Sequence, residues 1–152
     1  MSVPLIHVDY DLDIKRMLEI AEEAYPTADF YKDDRYPEAD FSWWRKGRYE
    51  HPELKKIADD FGIEYDPRFY WQKANSYLPP HVDNGTKCSL NFVLSEDPAP
   101  VNIEGVDYEY TAAFLNTSLK HSVRTGETPR ILLKFSIFEK SIDSFRYKYK
   151  HG

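Results

Sequence analysis

The sequence predicts a mainly β protein, a sandwich or barrel of short strands with two helices ahead of it packed on one sheet. Three observations predict this. Apolar spacing is helical in two segments, Ile14 to Tyr25 and Leu54 to Phe61, and changes to a two-residue alternation after Asp66-Pro67. From there to Phe138, short apolar runs are separated by turn residues such as Asn84-Gly85, Glu104-Gly105 and Thr125-Gly126. Aromatic residues make up 16% of the chain, with Tyr the commonest, and aromatics fit pleated, half-buried surfaces and clefts.

At 152 residues the chain is read as one domain, 1–152, with a helical part over about 1–66 and a β core over about 67–140. The formal net charge of −6 argues against a protein that binds nucleic acid through clustered Lys and Arg. Arg146, Lys148, Lys150 and His151 form a basic tail, read as a solvated terminus. No apolar run approaches the roughly 18 residues of a membrane span, and residues 1–20 are too acidic and broken for a signal peptide. The expectation is a cytoplasmic protein that does not engage membranes. Its single cysteine, Cys88, excludes an internal disulfide, fits a reducing compartment, and is read as a small buried apolar residue.

Residues 4–9 are a short strand or an extended lead-in. From Asp11 or Asp13 as N-cap, Ile14, Met17, Leu18, Ala21 and Tyr25 repeat at helical spacing until Pro26. Residues 27–50 show no clean period but carry many aromatics among charges; a lid or binding loop and a packing segment are both open readings. A second helix begins at Pro52, shows Leu54, Ile57, Ala58 and Phe61 on one face, and ends at Gly62. Strands follow over 69–78, ended by Pro79-Pro80, and over 87–95, 101–103, 106–110, 111–115, 119–124 and 130–138.

His81-Val82-Asp83 sits at the mouth of the first of these strands. Side chains at i and i+2 of an extended segment point the same way, so His81 and Asp83 can reach one metal ion. Four predicted strands separate Asp83 from His121, and an even number of antiparallel crossings returns the chain to the level where it began. Arg130 opens the next strand, where its guanidinium can receive the far carboxylate of a molecule held by the metal. Lys134 shares its strand face and is a second candidate. Ser89, Asn91 and Tyr77 are polar candidates on the pocket face. A second His-Val-Asp, at His7-Val8-Asp9, is read as a chance match because it leads directly into the first helix with no strand before it. His51 is read as a surface or capping residue. Two His and one carboxylate also suit a zinc hydrolase or a non-catalytic metal-binding module, although a hydrolase would need a general base and would leave Arg130 without a role.

The pattern His81-x-Asp83, distal His121 and then Arg130 resembles the iron(II)- and 2-oxoglutarate-dependent dioxygenases, over about residues 69–138. Within that superfamily it is most similar to the aspartyl/asparaginyl β-hydroxylase and prolyl hydroxylase branches, through the segments around 87–92 and 114–116. The resemblance implies a double-stranded β-helix (jelly-roll), Fe(II) held by His81, Asp83 and His121, and 2-oxoglutarate and O2 as co-substrates. It implies hydroxylation of a peptidyl or free amino acid side chain with release of succinate and CO2. Leu132 stands where another branch has Ser in Arg-x-Ser. Asn91 and Val93 stand where the β-hydroxylase branch has cationic or imidazole side chains. The residues name a metal and a co-substrate and leave the substrate and the oligomeric state open.

Overall fold

The computed structural model describes residues 3–31, 43–46, 48–83, 85–97 and 99–149, with the backbone alone at 30, 31, 43–46 and 149. Much of the aromatic run over 27–50 therefore lies outside the described residues, as do Asn84 of the predicted turn and Lys150 and His151 of the tail.

Two antiparallel sheets face each other. The four-stranded sheet has the order β5 (Tyr77–His81), β10 (His121–Arg124), β7 (Val101–Ile103), β8 (Val106–Tyr108). The seven-stranded sheet has the order β1 (Leu5–His7), β9 (Ala112–Leu115), β6 (Cys88–Val93), β11 (Arg130–Ile137), β4 (Pro67–Gln72), β3 (Trp43–Lys46), β2 (Asp29–Tyr31). Helices α1 (Ile14–Ala24) and α2 (Pro52–Phe61) cover the outer face of the larger sheet. The predicted mainly β class with two N-terminal helices on one sheet is what the chain adopts.

Two apolar layers result. Met17, Ile20, Ala21 and Ala24 of α1, and Leu54, Ile57, Ala58 and Phe61 of α2, pack on Leu90, Phe92, Phe114, Leu133 and Phe135 of the sheet. Phe61 meets Phe92 and Phe114 edge-on, with ring centroids 6.2 and 5.9 Å apart. Between the sheets, Val93, Ala113, Leu115 and Leu132 meet Val101, Ile103 and Val123. All six residues of β6 are consequently buried: Cys88, Leu90 and Phe92 face the helices, and Ser89, Asn91 and Val93 face the other sheet. This alternation puts polar side chains on the inner face of a strand that is wholly withdrawn from water.

Helix α2 has the predicted face and ends. His51 caps it by accepting the Glu53 N–H at Nδ1, and Gly62 closes it at φ 66°, a left-handed conformation that glycine adopts without steric cost. In α1 the N-cap is Asp13, but the buried stripe is Met17, Ile20, Ala21 and Ala24, while Ile14 and Tyr25 are exposed. The predicted stripe is rotated because Ile20, fully buried, rather than Leu18, faces the sheet squarely.

The single strand expected over 69–78 is two strands in different sheets. The chain turns at Lys73–Ser76, where Asn75 has φ 54°, and no Gly or Pro announces the turn. That corner is pinned by Thr125: its Oγ1 accepts the Ser76 N–H at 2.8 Å and donates to the Lys73 carbonyl at 2.7 Å. Pro79 and Pro80 do not end β5 but lie inside it. β5 is an edge strand, so prolines without an N–H can be accommodated there. β1, which ends at His7, is an edge strand paired with β9: of the two readings of residues 4–9 the short strand holds, so the first His-Val-Asp does have a strand before it. Segment 27–50 contributes β2 and β3, which extend the larger sheet. The tail also differs from expectation: Asp143–Tyr149 forms helix α3, anchored by buried Ile142 and by Phe145 stacked on Phe114 at 4.3 Å.

Cys88 is fully buried, and its thiol donates to the Lys140 carbonyl. Burial first, and Glu64 second, push its pKa up to about 12 from 9.0. A folded value above the unfolded one gives a stabilising contribution that is intact below pH 9.0 and is lost as pH rises toward 12. Thiol labelling at pH 8 should therefore proceed no faster than unfolding; prompt labelling of the native protein would contradict this burial.

Candidate metal centre

His81 is the last residue of β5 and His121 the first of β10, and the two are direct register partners. Their rings lie 4.3 Å apart. Between this pair and the next, Val123 with Leu78, two residues of β5, Pro79 and Pro80, oppose one of β10, Ser122. The bulge at Pro79-Pro80 therefore reverses the side-chain parity of β5. It puts His81 on the inner face, although Leu78, an odd number of residues earlier, is inward as well. Asp83 follows two residues later, its N–H donated to the Thr117 carbonyl.

The same local device orients both imidazoles. His81 Nδ1 donates to the Pro79 carbonyl and His121 Nδ1 to the Leu119 carbonyl, each at 2.8 Å. A carbonyl oxygen can only accept, so the proton of each neutral ring is on Nδ1 and the Nε2 lone pair is exposed. Both Nε2 atoms face Asp83 Oδ1 at 3.4 Å. Three acceptors converging on one point repel one another unless a positive charge sits among them. Two imidazole nitrogens and one carboxylate oxygen, all within 4.8 Å, fit a first-row divalent ion, and their second nitrogens are already fixed by outer hydrogen bonds. Among the described residues, this is the group of His, Cys, Asp and Glu side chains gathered closely enough to hold a metal. Exposed His7 and the α2 cap His51 stand apart from it.

The other oxygen of Asp83 is held differently. Lys134, from β11 of the facing sheet, places Nζ 2.7 Å from Oδ2, and both side chains are largely buried. Burial works to raise the Asp83 pKa. The Lys134 charge, and then the His121 and His81 rings beside Oδ1, override it and hold the carboxyl well below the usual range. Burial also disfavours the Lys134 ammonium, but neighbouring Tyr70, whose ring lies 5.7 Å away, and Asp83 keep it charged.

Arg130 is the first residue of β11 and only 6% exposed. Its Nη2 donates to Tyr110 Oη at 2.8 Å, and Asn91 Nδ2 donates to the same oxygen at 3.1 Å. Ser89 Oγ in turn donates to Asn91 Oδ1 at 2.8 Å. Of the predicted polar candidates, Ser89, Asn91 and Arg130 are thus brought into one buried network. Tyr77 is not: its ring lies under the exposed Arg124 guanidinium at 4.2 Å, on the outer side of β5, because the Pro79-Pro80 bulge breaks the parity that linked it to His81. Tyr110 is the member of this network that sequence reasoning missed, its only signal being a tyrosine near a strand end whose hydroxyl would need a partner if buried.

Arg130, Leu132 and Lys134 alternate onto one face of β11. Arg130 and Lys134 are roughly 13 Å apart along the strand, from four steps of about 3.3 Å. Arg130 lies toward the corner pinned by Thr125, and Lys134 lies at the ligands. The facing side of β11 thus carries Lys134 beside the three candidate ligand atoms and, further along the strand beyond Leu132, a buried guanidinium.

Compared with protein-family models, the chain matches none, and it matches no curated protein. Solved structures do resemble it. A viral collagen prolyl hydroxylase from Paramecium bursaria Chlorella virus-1, in complex with 2-oxoglutarate, aligns with TM-score 0.66 and 11% identity, covering 90% of this chain and 96% of that one. A Pseudomonas putida prolyl-4-hydroxylase aligns with TM-score 0.64 and 11% identity, over 90% and 92% of the two chains. An oxidoreductase of the 2-oxoglutarate/Fe(II) oxygenase family from Burkholderia pseudomallei aligns with TM-score 0.52 and 12% identity, over 83% and 79%. At these identities the likeness speaks for architecture: the chain has the jelly-roll fold of the 2-oxoglutarate- and iron-dependent oxygenases.

Proposed function

We propose that the chain is an iron(II)- and 2-oxoglutarate-dependent oxygenase that hydroxylates an amino acid side chain, free or within a peptide. The observation that carries this reading is the pairing of the His81, Asp83 and His121 focus with a buried Arg130 on the facing sheet. A hydrolase would use the triad but has no role for Arg130. The group touching the triad from the other sheet is also an ammonium rather than a base.

In this reading His81, Asp83 and His121 hold the ion, and their outer hydrogen bonds keep the donor atoms converged. Arg130 receives the distal carboxylate of 2-oxoglutarate. Tyr110 is fixed by the N–H groups of Arg130 and Asn91, so its own O–H hydrogen is left to point at a further acceptor. Iron(II) with 2-oxoglutarate and O2 supplies the oxidising chemistry, two electrons coming from decarboxylation of the co-substrate and two from the substrate C–H bond. The protein's part is binding, orientation and exclusion of water, and no side chain is required as acid or base. The fold neighbours named as prolyl hydroxylases support a side-chain substrate. The single buried thiol suits a reducing compartment such as the cytoplasm, where ferrous iron persists. Among the described residues no helix is long and apolar enough to cross a membrane.

Anaerobic addition of Fe(II) and 2-oxoglutarate should give a visible charge-transfer band, and exposure to O2 should then give succinate. Tight zinc binding with neither signal would overturn the reading.

A further inference from the structure

The two oxygens of Asp83 face different partners: Oδ1 meets both imidazole Nε2 atoms at 3.4 Å, and Oδ2 meets Lys134 Nζ at 2.7 Å. Lys134 is no adventitious surface cation. Its side chain is 14% exposed, lies against the Tyr70 ring, and sits beside Asn91 and Arg68 in the register of β11. Taking the proposed metal centre as given, we propose that Lys134 is a built-in counter-cation of the ligand Asp83. It confines the carboxylate to one-oxygen ligation and weakens the site for a divalent ion until a dianionic co-substrate joins.

The physical argument has three steps. A carboxylate whose second oxygen is held by an ammonium at hydrogen-bond distance has one oxygen left for a metal, which keeps neighbouring coordination positions open for a chelating co-substrate. A buried positive charge on the far side of the carboxylate also opposes a second cation entering on the near side, because Coulomb interactions are strong where water is excluded. Finally, the local charge changes in a defined way. Asp83 and Lys134 cancel, so a divalent ion leaves an excess of two positive charges before Arg130 is counted. A dicarboxylate cancels that excess. Metal and co-substrate therefore each raise the affinity of the site for the other, and the reciprocity is thermodynamic.

The test measures Mn2+ binding to the wild-type chain, K134M and K134R, each with and without 2-oxoglutarate. Removing the charge in K134M should tighten Mn2+ alone by roughly tenfold or more and shrink the further gain from 2-oxoglutarate. Lys134→Arg, which keeps the charge, should stay near wild type. A purely structural Lys134 would move the result the other way, since a disordered Asp83 binds more weakly. Unchanged or weaker Mn2+ binding in K134M overturns the proposal. If K134M does not fold, K134Q removes the same charge and is read by the same criterion. If the wild-type chain takes up Mn2+ no better than H81A, the metal centre itself is wrong and this inference falls with it. Wild-type uptake without tightening in the neutral variants rejects the role of Lys134 alone.

Discussion

Replacing His81 with Ala should abolish metal-dependent 2-oxoglutarate turnover and leave the fold standing, whereas Asp83→Ala should abolish turnover and destabilise the protein as well. The difference comes from what each side chain leaves behind. His81 is an imidazole at a strand end, and its loss takes one donor from the Pro79 carbonyl. Asp83 is the carboxylate against Lys134, and its loss strands a largely buried ammonium. Removing one member of a buried pair costs about 3–5 kcal/mol. The double variant Asp83→Ala with Lys134→Met should recover much of that stability and none of the turnover. Urea unfolding and succinate release measure the two effects separately. Full turnover in H81A would remove His81 from the site, and equal stabilities of H81A and D83A would contradict the Lys134 pairing.

Arg130→Leu should weaken 2-oxoglutarate by roughly ten- to a hundredfold, because a hydrogen bond to a charged group contributes about 1.5–3 kcal/mol. Tyr110→Phe should have a smaller effect, a few-fold, since it removes one neutral hydroxyl from the network worth about 0.5–1.5 kcal/mol. Titrating the metal-loaded protein with 2-oxoglutarate distinguishes them. Unchanged affinity in the Arg130 variant would move the anchor elsewhere, but not to Lys134, whose ammonium is committed to Asp83.

The sequence readings succeed where a local rule has a single physical cause. Helix α2 is legible from Pro52 and Gly62 because capping is decided within a turn of chain. The convergence of His81, Asp83 and His121 is legible because four strands, β6 to β9, do lie between Asp83 and His121, so the parity of crossings holds. What was lost depended on partners distant in sequence. β2 and β3 exist as strands through pairing onto β4 rather than through their own alternation. The corner between β4 and β5 has no Gly or Pro and is held by Thr125, far along the chain. Helix α3 shows little apolar pattern of its own, and what fixes it is the stacking of Phe145 on Phe114. Lys134 could be placed on the correct strand face, but its choice of Asp83 is a contact between sheets that no spacing encodes. Tyr77 was misplaced by a bulge, the one irregularity that defeats counting by twos.

The ligands and the cations come from opposite sheets: His81 and His121 from adjacent strands of the smaller one, Lys134 and Arg130 from β11 of the larger. Were the two layers to separate, the candidate ligands His81, Asp83 and His121 would travel together while Arg130 receded from them. A molecule reaching from the triad to Arg130 therefore staples the layers together. Its binding should slow amide hydrogen exchange in β5, β10 and β11 together, whereas the metal ion alone should protect chiefly β5 and β10.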